Sequence, residues 1–224
     1  MSKASRGKLG EKKVSSLLES IPEEHYLFND VTLINKTSEM SHQIDHILVH
    51  PHGLFVIETK NYSGQIIVDP NDGTWYKILR GQKTRISSPL HQNKSHAITL
   101  RKALKSQYKP IPVVVFTQNN APYLPDENVI NLDDLLLFID SYPYPRRYSS
   151  KELLDMERLI ESIASDVSLK EHLENIKTMK LVKKEIEAEM TYAIERGLCP
   201  RCNHKIMAKD YDYSCPHCGY QFKL

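Results

Sequence analysis

The stretch QIDHILVHPHGLFVIETKNYSG, residues 43–64, holds two apolar runs on either side of Pro51-His52-Gly53, and the way they pair decides the fold. In the second run Leu54, Val56, Glu58 and Lys60 share one face of a strand, while Phe55, Ile57 and Thr59 share the other. Reversal of the chain around Pro51-His52 sets His50 opposite Gly53, Leu48 opposite Phe55 and Asp45 opposite Glu58. A type I turn followed by a glycine bulge at the same place slips the pairing by one and sets Asp45 opposite Thr59. The slipped register leaves a carboxylate among the apolar partners of Phe55 and Ile57, where an unpaired charge is costly, so the unslipped register is preferred. Two carboxylates and one ammonium then meet at one end of an otherwise apolar hairpin.

These three residue types divide one chemistry between them. A hard cation such as Mg²⁺ takes oxygen ligands and keeps several waters, so Asp45 and Glu58 suit it as ligands beside a phosphate oxygen. A lysine adds positive charge near an attacking water and the charge that develops on phosphorus. Glu-x-Lys alone is more often a minor surface ion pair. Here the acid and base end a strand apolar on both faces, and a second acid stands at the matching position of its partner.

Gln43, Asp45, the Gly-Leu-Phe-Val-Ile strand and Glu58-Thr59-Lys60-Asn61 together resemble the nuclease-related domain, NERD, a branch of the PD-(D/E)xK nuclease superfamily. The resemblance runs from about Gly7 to about Thr117. It implies a four-stranded mixed sheet flanked by helices, with the site at one sheet edge. It also implies that Asp45 and Glu58 hold Mg²⁺ (or Mn²⁺) and that Lys60 assists the water. The proline that precedes the first acid in that superfamily is absent, Ile44 standing in its place.

Two further residues fit the same pattern. Glu11 precedes Val14 by three positions and Leu18 by seven, in a helix whose apolar face is Val14, Leu17, Leu18 and Ile21, so it points to the core side. The bland alternative is an early-turn acid favoured by the helix dipole. Gln92 follows Ser88, read as an N-cap, and Pro89, read as the first helical residue. Gln92 reads equally as a supporting site residue or as helix surface. The histidines at 42, 46, 50, 52, 91 and 96 match no metal spacing and stay outside the candidate set. His46 faces away from Asp45 and Glu58 in the unslipped register.

At the other end of the chain, Cys199-Pro-Arg-Cys202 and Cys215-Pro-His-Cys218 are separated by 12 residues. Two such knuckles suit tetrahedral Zn²⁺ held by four thiolates, Cys199, Cys202, Cys215 and Cys218. A redox pair calls for one Cys-x-x-Cys in a thioredoxin-like context, and a disulfide calls for a secreted chain. A segment this short has too little core of its own, so the zinc is structural and the tail resembles a zinc ribbon.

Composition bounds the remainder. The 224 residues are 40% hydrophobic and 26% charged, with no apolar run of membrane-spanning length and no apolar core of a secretory signal near Met1. The expectation is a cytoplasmic protein with no membrane partner. The net charge of +2 hides a one-signed stretch: residues 73–125 carry nine Lys/Arg and no Asp or Glu. That stretch has the footprint of a phosphate-binding surface, with Trp75, Tyr76, Tyr108 and Tyr123 interleaved, although a solvated basic face would look similar.

The chain therefore reads as an α/β protein. A restriction-endonuclease-like mixed sheet flanked by helices occupies residues 1–145, a helical extension residues 146–197, and a four-cysteine zinc ribbon residues 198–224. The expected activity is metal-dependent hydrolysis of DNA phosphodiesters. A non-catalytic nucleic-acid-binding module and a zinc-ribbon adaptor for a protein partner are the alternatives.

Overall fold

The computed structural model describes residues 3–35, 40–118, 126–142, 147–164, 169–206, 215, 217–218 and 220. Tyr123 and the domain boundary expected at residues 145–146 lie outside these residues. By contact, the chain divides into two compact units, residues 1–169 and residues 170–224.

In the first unit a helix α1 (Lys3–Leu18) leads to three strands, β1 (Tyr26–Asn35), β2 (Met40–His50) and β3 (Gly53–Lys60). The β2–β3 pairing runs from His50↔Gly53 through Leu48↔Phe55 to His46↔Ile57, which is the unslipped register. After β3 the chain forms β4 (Gln65–Val68), β5 (Trp75–Leu79), β6 (Gln82–Ile86), the helix α2 (Pro89–Ala103), β7 (Ile111–Phe116) and β8 (Val129–Asn131). The main sheet has the order β1-β2-β3-β7-β8, antiparallel on the β1 side of β3 and parallel on the β7 side. It is a mixed sheet of five strands rather than the implied four, the short β8 being the addition. Strands β4, β5 and β6 form a separate antiparallel sheet.

Strand β3 is buried along both faces because helices cover the sheet on each side. On one face Leu54 and Val56 pack with Ala97 and Leu100 of α2 and with Leu153, Met156 and Ile160 of α4 (Ser150–Ala164). On the other, Phe55 and Ile57 pack with Val14 and Leu18 of α1 and with Leu135 and Ile139 of α3 (Leu135–Ser141). Helix α4 falls in the segment read as an extension, yet it braces the sheet. Its start is a capping box: Ser149 Oγ accepts from the Glu152 N–H at 3.4 Å, and Glu152 Oε2 accepts from the Ser149 N–H at 2.9 Å.

Two local features fix where the helices meet β3. Asn93, fully buried on α2, donates through Nδ2 to the carbonyls of Val56 and Val113 at 2.8 Å each, tying α2 to β3 and β7. On α1, a Cβ at Gly10 would lie 2.8 Å from Asn61 Cβ and 3.3 Å from Thr59 Cγ2, so only glycine lets the helix approach the end of β3 this closely.

The second unit contains the helix α5 (Leu169–Glu195), which ends at Gly197 with φ +69°. Its residues Val182 and Ile186 are exposed. The side chains of Leu169, Leu173 and Ile176 lie outside the described set. After Gly197, Leu198 and Lys205 form an isolated antiparallel bridge, and Cys199 and Cys215 are the buried centre of a small cluster with Ile194, Ile206 and Tyr220 beside them.

Candidate active site and metal cluster

The end of β3 brings together Asp45, Glu58, Lys60 and Gln92, with Glu11 linked to them through charge. Glu58 and Lys60 project from the α2 side of the strand, and Lys60 Nζ pairs with Glu58 Oε1. The β2–β3 ladder ends at His46↔Ile57, one position short of Asp45 and Glu58, and there Asp45 Oδ2 accepts the Thr59 N–H at 2.7 Å, so the carboxylate closes the hairpin end. Gln92, exposed on α2, accepts from Lys60 Nζ through Oε1 at 3.4 Å. Glu11 is half-buried on α1, where its carboxyl is raised by burial, with Asp30 and Glu58 adding to the shift.

Electrostatics distinguish the two central acids. Burial, and then the charge of Glu58, push the Asp45 carboxyl up to about 7. Burial acts on Glu58 in the same direction, but His96 and Lys60 outweigh it and hold that carboxyl below the ordinary range. Burial works against the charge on Lys60, and Glu58 outweighs it, so the ammonium is held more firmly than usual. The site thus concentrates carboxylates that repel one another, with Lys60 as the cation paired among them. A divalent cation would relieve that repulsion, and oxygen donors from Asp45 and Glu58 are the type such a cation takes.

His96 was set aside in the sequence reading, yet it belongs to this cluster. It is buried, and its Nδ1 lies 3.4 Å from Glu58 Oε2, a polar contact too poorly directed to be a hydrogen bond. Its ring meets His42 edge-on with centroids 5.4 Å apart. Spacing contained the signal: Gln92 and His96 are four apart, so they share the helix face that looks onto β3. Asp30 was missed as well. It interrupts the β1–β2 ladder opposite Asp45 with φ +57°, and Gln43 Nε2 donates to its Oδ1. His46 does face away, Nδ1 meeting Asn29 Oδ1 at 2.6 Å and Nε2 meeting Thr59 Oγ1 at 3.2 Å.

In the second unit, Cys199, Cys202, Cys215 and Cys218 bring their sulfur atoms within 4.8 Å of one another, a cluster that can hold a metal ion. Cys199 Sγ is 3.7 Å from Cys218 Sγ, and Cys202 Sγ is 3.8 Å from Cys215 Sγ. A disulfide needs about 2.05 Å, whereas a tetrahedron of thiolates about 2.3 Å from one zinc has edges of about 3.8 Å. The sulfur arrangement therefore fits zinc.

A mixed five-stranded sheet flanked by helices, with a cysteine cluster toward the C-terminus, makes this an α/β protein consistent with a restriction-endonuclease-like fold. More particularly, the chain belongs to the nuclease-related domain family NERD, whose sequence model matches residues 6–117. It is 29% identical over 143 residues to an uncharacterized protein of Bacillus anthracis, covering 61% of this chain and 67% of that one. No solved structure matches. Among the described residues, no helix is long and apolar enough to cross a membrane.

Proposed function

We propose that the protein is a metal-dependent nuclease that hydrolyses DNA phosphodiester bonds, of the PD-(D/E)xK type. The observation that carries this reading is the meeting of Asp45, Glu58 and Lys60 at one strand end, with the Asp45 carboxyl driven up to about 7. Asp45 and Glu58 would hold Mg²⁺ (or Mn²⁺), which when bound supplies Lewis-acid polarisation of the phosphate and a more acidic water.

Lys60, held charged by Glu58, presents N–H donors toward the space beside the scissile phosphate, where it orients the attacking water and offsets the charge developing on phosphorus. Gln92 accepts from Lys60 and limits the directions its ammonium can take. His96 lies against the second Glu58 oxygen and helps fix the carboxylate plane. Glu11 adds a further carboxylate from the α1 side. In this reading residues 1–145 are the nuclease domain, with α4 of the following segment 146–197 packed on its sheet and the rest of that segment a helical connection, and residues 198–224 are a ribbon organised by Zn²⁺.

The test is incubation of purified protein with supercoiled plasmid, with and without Mg²⁺ or Mn²⁺. Metal-dependent nicking or linearisation is expected. A wild type that binds DNA but cuts no nucleic acid with either metal removes the enzymatic reading in favour of a binding module.

A further inference from the structure

Of the nine cations of residues 73–125, Lys94 on α2 pairs with Asp126 at 3.6 Å, and the other eight do not form one surface. Arg101, Lys102, Lys105 and Lys109 lie at or beyond the C-terminal end of α2, just before Ile111, which pairs with Phe55 near the start of β3. They sit at the end of the sheet away from Lys60. Lys77, Arg80, Lys83 and Arg85 lie on the second sheet, which leaves the end of β3 through only four residues, Asn61 to Gly64. An extended chain of that length keeps the start of β4 within about 18 Å of Lys60. Gly64 tightens the connection, since with φ +91° it passes so close to β5 that a Cβ would collide with the Ile78 carbonyl oxygen.

This small sheet has two unlike faces. Trp75, Ile66, Val68 and Ile86 turn inward onto Leu90, Val114 and Phe116. On the other face Tyr76 pairs with Arg85 and Ile78 pairs with Lys83. Lys83 and Arg85 are exposed, and Lys83 Nζ sits 3.9 Å above the Tyr76 ring centroid. At the tip, Arg80 and Gly81 both take positive φ, +51° and +77°, in a two-residue turn closed by Leu79↔Gln82, so Arg80 leads the hairpin into solvent. The acids near this face are Asp69 and Asp72 in the β4–β5 turn. Asp72 is held below its usual range by hydrogen bonds from Thr74, whose N–H donates to Oδ1 at 2.8 Å, and by Arg85.

We propose that the outer face and tip of the β5–β6 ribbon, Tyr76, Arg80, Lys83 and Arg85, grip the phosphate backbone of nucleic acid beside the cut. The inference rests on the nuclease reading for its placement next to a scissile bond, but the binding surface stands on charge complementarity with a polyanion. Cations on a ribbon two strands wide, with a tyrosine between them, suit a backbone that carries one charge per ~1.7 Å of duplex axis. The patch at the far end of α2 would not touch the same stretch.

The experiment compares full-length wild type, Lys83→Gln/Arg85→Gln and Arg101→Gln/Lys102→Gln by fluorescence anisotropy on a duplex DNA, over a salt series with Mg²⁺ omitted. Thermal melts confirm that these exposed changes leave the fold intact. The ribbon pair is expected to weaken binding at least tenfold and to flatten the log-affinity against log-salt slope by about 1.8, since each lost phosphate contact removes about 0.9. The helix pair is expected to bind as wild type does. That pattern supports the assignment whether or not the wild type cuts DNA, and failure of the nuclease reading shows separately as no cleavage with Mg²⁺ or Mn²⁺. Wild-type affinity and slope in the ribbon pair overturn the proposal, as expected if Lys83 and Arg85 only guard an open strand edge. Equal losses in the two variants also overturn it.

Discussion

Asp45 sets a pH dependence that can be worked out in sign. Burial and Glu58 raise its folded value to about 7, against an ordinary value of 3.8. Between those values the metal-free folded chain holds a proton that the unfolded chain has lost, so stability falls as pH rises from about 4 to about 7. Thermal melts in chelator should therefore show a lower Tm at pH 8 than at pH 5, and Asp45→Asn should remove most of that difference. An identical pH slope in the variant would mean that another group is responsible. Added Mg²⁺ should raise the wild-type Tm more at pH 8 than at pH 5, because the cation takes the ionised carboxylate. Lys60 makes a separate prediction: Lys60→Ala should lower cleavage at least ~100-fold while duplex affinity and fold persist, since the missing group acts on the reacting atoms. Excess Mg²⁺ should partly rescue Glu58→Ala and leave Lys60→Ala inactive. Equal cleavage by Lys60→Ala and wild type would remove this residue from the site. The register that carries Asp45, Glu58 and Lys60 was legible because strand alternation has a fixed period. Their burial was not, since Glu58 is 3% exposed and Asp45 is pushed up by burial in the unslipped register too. His96 was legible in part, since it lies four residues from Gln92 on one helix face, but its link to Glu58 crosses from helix to sheet and depends on the depth at which Asn93 seats α2.

Helix α2 is seated by one buried amide, which makes Asn93 the residue to change at the level of elements. Asn93→Leu removes two hydrogen bonds to β3 and β7 carbonyls, an expected loss of about 1–3 kcal/mol in denaturant unfolding. Because Gln92 and His96 ride on the same helix, cleavage should fall further than the loss of stability accounts for at a temperature where the variant is fully folded. Unchanged activity would show that α2 does not need this anchor to position the site. Gly10 is the corresponding contact on α1. Gly10→Val should destabilise by about 1–3 kcal/mol through overpacking against Asn61 and Thr59. Elements with strong apolar alternation or caps were legible in the sequence, β3 and α2 above all, the latter because Ser88 accepts the His91 N–H at 3.1 Å as an N-cap should. Strands β5 and β6 were not, since Gln82-Lys83-Thr84-Arg85 has no apolar alternation and gains its strand partner only through the Arg80-Gly81 turn. Strand β8 spans only Val129–Asn131 and is held by β7, a contact distant in sequence.

At the scale of the molecule, the two units rest on different kinds of cohesion. Residues 1–169 contain three apolar clusters built on the sheets, whereas the described cluster after residue 197 consists mainly of the four cysteines with Ile206 and Tyr220. Among the described residues of the tail the apolar set is small, so a metal held by the four thiolates would add much of its stability. Purified protein should carry one zinc per chain by elemental analysis, and Cys199→Ser should lose it, because three thiolates and a hydroxyl make a much weaker site. Chelation of the wild type should abolish ribbon chemical shifts in an NMR spectrum while the dispersed signals of the sheet residues persist, since the clusters around β3 contain no cysteine. Thermal unfolding of the first unit should then occur at the same temperature in wild type and Cys199→Ser. Unchanged zinc content in the variant would defeat the four-thiolate site, and collapse of the sheet signals on chelation would mean that the metal supports more of the chain than its tail.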